Sequence, residues 1–264
     1  MSTPKKTARR LERNPRLRTL AKAGYAATGV VHVMLGGIVL AVAFGADGDA
    51  DQSGAFQALA ASPAGLVALW AVALALLALA LWHAVAAFAG AGEKSSWSRR
   101  LSEAGQAVAF AALGTIAISV AVGGRSDGDA SVKQTSSGVL SIPGGPFILG
   151  AVGVGVLVAG IAFGVIGVRR GFRKELSVPV GTMGTLVVTL GVVGYVAKGV
   201  SLATVGVLLG VAAVRVDPQE AGGLDGAVRS LLALPAGPVI AIAVGGGLIA
   251  YGLFCLFRAR YARL

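Results

Sequence analysis

Lys198 interrupts an otherwise uncharged stretch that runs from Gly181 to Val214. A full charge among so many hydrocarbon side chains is a binding or relay group by default, because lipid cannot solvate it. Near the centre of a bilayer such an ammonium makes an anion site or a proton-linked relay. Close to the surface it snorkels into water and does no chemistry. The stretch is too long for one perpendicular span: at 1.5 Å per residue it reaches about 50 Å, against about 30 Å of hydrocarbon. A span that begins at Met183 makes Lys198 central, and one that begins at Gly194 leaves it near the cytoplasmic surface.

His32 and His83 are the two histidines. A pair of intramembrane imidazoles can ligate a haem or carry protons, while single ones commonly hydrogen-bond a neighbouring helix. Both lie in the first two apolar runs at similar depths, so facing is permitted but not demanded. No cofactor is expected. With Lys198 they make up the candidate intramembrane polar site. The acidic turn Asp47-Gly-Asp-Ala-Asp51 alternates carboxylates as a hard-cation loop does. It fails as an EF-hand, with Gln52 in place of the glycine and Ala58 in place of the bidentate glutamate, so no metal site is expected. No Ser/His/Asp set, His-Glu-x-x-His motif or Walker motif occurs at meaningful spacing, and the expectation is a protein without catalytic residues. The single cysteine, Cys255, excludes an intramolecular disulfide.

The elements that must position these residues are membrane helices. The chain has 264 residues, 55% of them hydrophobic and 13% charged, which excludes a soluble domain. Its mean hydropathy is +0.79. Six runs reach the length of a span: Gly24–Gly45, Ala64–Phe88, Ala104–Gly124, Pro146–Val168, Gly194–Val214 and Pro238–Phe257. They are continuously apolar rather than alternating, so they are helices and not barrel strands. The first is basic in front, like a secretory signal, but it is long for one and forms half of a repeat unit. Glycine is abundant, with 40 residues. Gly160-x-x-x-Gly164 and Gly206-x-x-x-Gly210 read as helix-packing faces, where small residues let two backbones approach.

The runs are organised as a repeat. Ser53–Gly65 is parallel to Asp225–Gly237, with Gly-Ala, Leu and Pro-x-Gly in register, and Ser137–Gly145 is a weaker copy. Gly24-Tyr25, Gly105-Gln106 and Gly194-Tyr195 open the odd-numbered helices, Asp47, Asp127 and Asp217 mark an acidic turn, and Pro63, Pro143 and Pro235 start the even-numbered ones. Each unit has two spans, so the copies insert in parallel about an axis along the membrane normal. They either close a pseudo-threefold bundle or pack in a row. The middle copy departs most, with Gln106 for tyrosine and a shorter connection before its proline. No acidic residue falls within the six runs.

This pattern resembles the DUF1206 family of bacterial, mostly actinobacterial, integral membrane proteins. The resemblance is carried by Gly24-Tyr-Ala-Ala-Thr-Gly-Val-Val31, by Gly54-Ala55, Leu59 and Pro63-Ala-Gly65, and by Leu79-Ala-Leu-Trp82. The third copy repeats them as Gly194-Tyr-Val-Ala-Lys-Gly-Val200, Asp225-Gly-Ala227, Pro235-Ala-Gly237 and Tyr251-Gly-Leu-Phe254. It implies six spans and a plasma-membrane location and transfers no catalytic residue.

Charge sets the expected orientation. The alternate stretches that include both termini, with Lys198, hold 19 of the 23 basic residues, and the other stretches hold 8 of the 12 acids. The positive-inside rule places both termini in the cytoplasm. The net charge of +11 is thereby explained by topology and anionic lipid, with no nucleic-acid partner required. Residues 1–23 form a basic arm on the cytoplasmic leaflet, 24–90, 104–168 and 194–264 are the three repeats, and 91–103 and 169–193 link them, the second ending in an apolar lead-in. The leading expectation is a non-enzymatic scaffold or accessory subunit that packs against a membrane-protein partner or lipids. The alternative is a small-molecule or ion transporter or channel with its site on the pseudo-symmetry axis.

Overall fold

The computed structural model describes residues 15–46, 49–89, 97–124, 127–178 and 180–262. Among these the chain is all-α, and its one backbone bridge pairs Leu176 with Ala262. Six long helices are α1 (Pro15–Ala43), α3 (Pro63–Ala89), α4 (Trp97–Ala121), α6 (Gly145–Val168), α7 (Thr182–Arg215) and α9 (Gly237–Tyr261). Each is long and apolar enough to cross a membrane. Three short helices, α2 (Gln52–Ala60), α5 (Gly128–Leu140) and α8 (Leu224–Leu232), join the long helices of each repeat at one end of the bundle, here the cap end. The opposite end carries Arg169, Arg170 and Arg258 and is the basic end. The basic arm over residues 1–14, residues 91–96 of the 91–103 linker, and Asp47 with Gly48 lie outside the described residues.

The odd-numbered spans stop in the same way. Gly45 and Gly123 adopt φ of 91° and 89°, which lets Ala46 and Gly124 donate back to the carbonyls of Ala41 (2.9 Å) and Ser119 (2.8 Å). These are Schellman closures, and they satisfy carbonyls that a helix end leaves bare. The third copy makes the same closure, Asp217 N–H to Ala212 C=O at 3.1 Å, but holds Val216 at φ 52° in the left-handed position. At the even-numbered starts Pro63 is the first residue of α3, as expected. Pro143 and Pro235 instead sit in the preceding turn, and Pro146 and Pro238 take the first helical turn of α6 and α9. Both places suit a residue without an N–H.

The long helices pack mainly between repeats: α3 on α4, α6 on α7, and α9 on α1. Weaker contacts within a repeat join α1 to α3 and α7 to α9, whereas α4 and α6 share no packed interface. The six spans therefore follow one another as a broken ring, α4–α3–α1–α9–α7–α6, open on the side of the middle repeat. The flanking helices are the least covered, with 17% of the apolar span buried in α4 and in α6 against 39–56% in the other four. α5, at 13 residues, is the longest of the three short helices, against 9 each for α2 and α8. The extra turn adds about 6 Å between the spans it joins. The middle connection, read from the sequence as shorter before its proline, thus carries the longest of the three short helices.

Glycine makes the two tightest seams. On α9 against α1, a β-carbon at Gly36 would strike the Gly245 carbonyl, and one at Gly252 would strike that of Gly29. On α6 against α7 the same exchange links Gly153 with Gly206 and Gly160 with Gly199. The spacing along every helix is seven residues, which keeps the small positions on one seam of a left-handed pair. Gly160 and Gly206 thus form the close approach expected of them. A β-carbon added at Gly164 or Gly210 would meet nothing within 4 Å, and these two contribute only backbone, against which Gly199 and Gly153 lie. At the third seam, α3 against α4, a β-carbon at Gly114 would meet the larger Leu77.

A second correction concerns α7. It is one continuous helix from Thr182, so the lead-in before Gly194 is helical and not linker. Its first turns are covered by a short 3-10 helix, Gly171–Glu175, whose Phe172 packs with Val187, Phe254 and Tyr195. Ser177 N–H donates to the Tyr261 carbonyl at 2.9 Å, which ties this cover to the end of α9.

Candidate functional site

At the cap end the three repeats are linked head to tail through carboxylates. Asp51 is the N-cap of α2 and accepts from the Gly54 N–H at 2.9 Å. Its other oxygen stands against Gly128, at the start of α5, where any side chain would collide with it. Asp129 on α5 accepts from the N–H groups of Gly223 (2.8 Å) and Gly226 (3.0 Å), and so caps α8, whose own N-cap is a glycine without a side chain. Asp225 on α8 accepts from Ala50 N–H at 2.9 Å, just ahead of α2, and holds Arg229 Nε at 2.6 Å. First repeat meets second, second meets third, and third meets first. The cap therefore closes as a pseudo-threefold ring even though the spans beneath it do not. Burial pushes the Asp51 carboxyl above its ordinary range, with Asp49 and Asp225 adding repulsion against the pull of the Gly54 and Ser53 N–H groups. Asp225 holds the Arg229 guanidinium more firmly protonated than usual.

Below this ring lies a cleft of about 210 Å³ between α1, α7 and α9. Leu35, Leu202, Val205, Leu224 and Leu248 give it apolar walls, Gln52 and Gly223 stand at the cap side, and His32, Ser201 and Lys198 form its polar floor. Lys198 lies midway along α7 and does not reach toward the basic end. Its Nζ donates to the Tyr251 hydroxyl at 3.4 Å and stands 4.5 Å from the Tyr251 ring centre and 5.2 Å from that of Phe163. Of the two depths that the sequence left open for Lys198, the helix that starts at Thr182 gives the central one, and the side chain is held inside by aromatic faces, a favourable setting for an ammonium out of water. His32 Nδ1–H donates to the Thr28 carbonyl at 2.8 Å, and its ring lies 4.8 Å from that of Tyr251. With Nδ1 committed, Nε2 is the nitrogen left for other chemistry.

One layer closer to the basic end, Arg258 of α9 joins the two tyrosines that open the first and third repeats. Its Nη1 donates to Tyr195 at 3.3 Å and its Nη2 to Tyr25 at 3.4 Å, with the guanidinium 4.5 Å above the Tyr25 ring. Tyr195 stacks on Phe172 and meets Tyr251 and Phe254 edge-on. This aromatic layer lies beneath the polar floor of the cleft. Arg258 was not singled out in the sequence, and Tyr251 only as part of a repeated segment; the signal available was the tyrosine repeated at 25 and 195.

His83 is elsewhere. It lies between α3 and α4, with Nδ1–H donating to Glu103 at 2.8 Å, its ring stacked on Phe110 and its buried Nε2 unpartnered. The two histidines are not brought together, which removes the geometry of a shared haem. Glu103 also corrects the reading that no acid falls within a span, since the third span begins at Arg100. Among the described residues no cluster of three or more metal-ligating side chains occurs.

An all-α bundle with six apolar spans defines a multi-pass membrane protein. The family model described as Domain of Unknown Function (DUF1206) matches three times, at residues 23–90, 102–170 and 193–262, and the chain belongs to that family. It is similar to the uncharacterized protein YxxB of Bacillus subtilis (strain 168), at 29% identity over 259 residues, covering 96% of this chain and 94% of that one. No solved structure matches.

Proposed function

We propose that this protein is a non-enzymatic transporter of small organic anions, with Lys198 as the charge that selects them. The observation that carries this reading is an ammonium on the floor of an interior cleft whose neighbours are rings and hydroxyls, with no carboxylate paired to it among the described residues. A cation so placed keeps its demand for a counter-ion, and an anionic ligand meets it. The asymmetry of basic residues supports a bacterial cell membrane with both termini in the cytoplasm and the cap outside, so the cleft loads from the exterior. The basic arm then rests on anionic lipid. Uptake of labelled monocarboxylates into proteoliposomes tests the reading. Wild type is expected to accumulate at least one of them and Lys198→Met none; equal uptake by both proteins, or by empty vesicles, sinks it.

A scaffold or accessory role is favoured by a different observation, the missing α4–α6 interface. Two weakly covered spans that flank a gap offer a partner helix a seat. Native mass spectrometry from the source membrane would reveal such a chain as a defined added mass, and its absence would leave the gap to lipid.

A further inference from the structure

Granting the anion-binding reading above, the walls of the same cleft carry information about which anions enter. Every wall position between the Lys198 floor and the cap is aliphatic: Leu35 on α1, Leu202 and Val205 on α7, Leu224 at the start of α8, and Leu248 on α9. A site for a fully hydrated anion such as chloride or phosphate needs polar donors on several sides to replace its water. Here the polar groups lie at the floor and, with Gln52, at the cap side, and none stands along the wall between them. The Ser201 hydroxyl is already spent on the Ala197 carbonyl at 3.1 Å, and His32 Nδ1 on Thr28. Lys198 is therefore the one charged donor that the cleft presents, and a slot of apolar side chains extends away from it toward the cap.

We infer that the ligand is an amphiphilic monoanion, a carboxylate with a medium-length hydrocarbon tail, bound head-down with the carboxylate on Lys198 and the tail along the aliphatic wall. The size of the cleft agrees. Its 210 Å³ leaves room for a chain of several methylenes. The Arg258–Tyr25–Tyr195 layer beneath stops a tail from passing the other way, which fixes the orientation. A single negative charge matches Lys198, the one cation that lines the cleft, while the Arg258 guanidinium beneath it is shared between Tyr25 and Tyr195.

The experiment compares sodium octanoate, sodium acetate and 1-octanol on the purified full chain in detergent, at matched free concentrations, by equilibrium dialysis with labelled ligand. Octanoate is expected to bind about tenfold or more tighter than either acetate or octanol, a difference of about 1.4 kcal/mol. Lys198→Met should reduce octanoate to the level of octanol, and Leu202→Asn should reduce it toward acetate. If octanoate and acetate bind alike, the aliphatic wall is not read, so this inference fails while the anion reading survives. If octanoate and octanol bind alike in wild type, with no change in Lys198→Met, the anion reading itself falls. Lys198→Arg, which keeps the charge, should retain most of the octanoate binding. It serves as the folding control, and Lys198→Gln replaces the methionine variant if that one does not fold.

Discussion

The Asp225 carboxylate accepts a hydrogen bond from the backbone N–H of Ala50, 175 residues earlier in the chain. That one contact joins the last repeat to the first and closes the ring that Asp51 and Asp129 continue. Asp129 does for α8 what an N-cap side chain does within a helix, but from the neighbouring repeat. Losing an N-cap acceptor costs about 1 kcal/mol, up to about 2 where the site is partly buried. Asp129→Ala should therefore destabilise the protein by about 1–2 kcal/mol in detergent unfolding. Asp129→Asn, which keeps one acceptor oxygen, should recover most of that. Equal losses from both variants would mean that the charge, not the acceptor geometry, is what matters.

Asp51 has the opposite problem. Its carboxyl is raised by burial and by Asp49 and Asp225, so the fold favours its protonated form. A group raised in the folded state gives its full benefit below its unfolded value of 3.8, and that benefit is lost as pH rises through the folded value. Asn keeps the oxygen that accepts from Gly54 N–H. Asp51→Asn should accordingly be more stable than wild type near neutral pH, with the gap closing as pH falls toward 3.8. A pH series of unfolding midpoints for the two proteins checks this, and a gap independent of pH would refute the assignment.

Val216 is the chain's departure from its own pattern. The first and second repeats put glycine at the left-handed position that ends the odd span, and the third puts a β-branched residue at φ 52°. That conformation costs an L-residue about 1–2 kcal/mol, and the side chain is largely exposed, so little packing offsets the strain. Val216→Gly should stabilise the protein by about 1 kcal/mol, less the entropy that glycine returns to the unfolded chain. A fall in the unfolding midpoint would show that Val216 is held by something other than the backbone closure.

Which parts of this were legible in the sequence follows from physical range. The six spans were legible because apolar length is a property of each segment alone, and the repeat because Gly-Ala and Pro-x-Gly recur in register. Span edges were not: Glu103 fell just outside the apolar run, yet α4 starts earlier, at Trp97, and the Glu103 carboxylate meets the His83 imidazole. The depth of Lys198 was undecidable locally, since it depends on Phe172, Phe254 and Tyr261 covering the first turns of α7. The pseudo-threefold cap was likewise invisible, because Asp51, Asp129 and Asp225 do not hold the same place in their repeats. Asp51 caps its helix, while Asp129 and Asp225 each lie one residue inside the first turn.

The glycine seams give the sharpest test of the packing. The sequence drew attention to pairs four apart, Gly160 with Gly164 and Gly206 with Gly210, whereas the structure uses pairs seven apart, Gly153 with Gly160 and Gly199 with Gly206. A β-carbon at Gly160 would sit 2.5 Å from the Ala203 nitrogen and 2.8 Å from the Gly199 oxygen, both backbone atoms that cannot step aside without moving α7. Overpacking of that kind costs about 1–3 kcal/mol. Gly164 and Gly210 have open space in the same direction. There, alanine removes the entropic penalty of a mid-helix glycine, worth about 0.5–1 kcal/mol. Gly160→Ala and Gly206→Ala should lower stability, then, while Gly164→Ala and Gly210→Ala should leave it unchanged or raise it. Four variants of the same chemical change, on the same two helices, separate seam from surface. If all four destabilise alike, the α6–α7 contact runs through the four-residue motif and the seven-residue register is wrong.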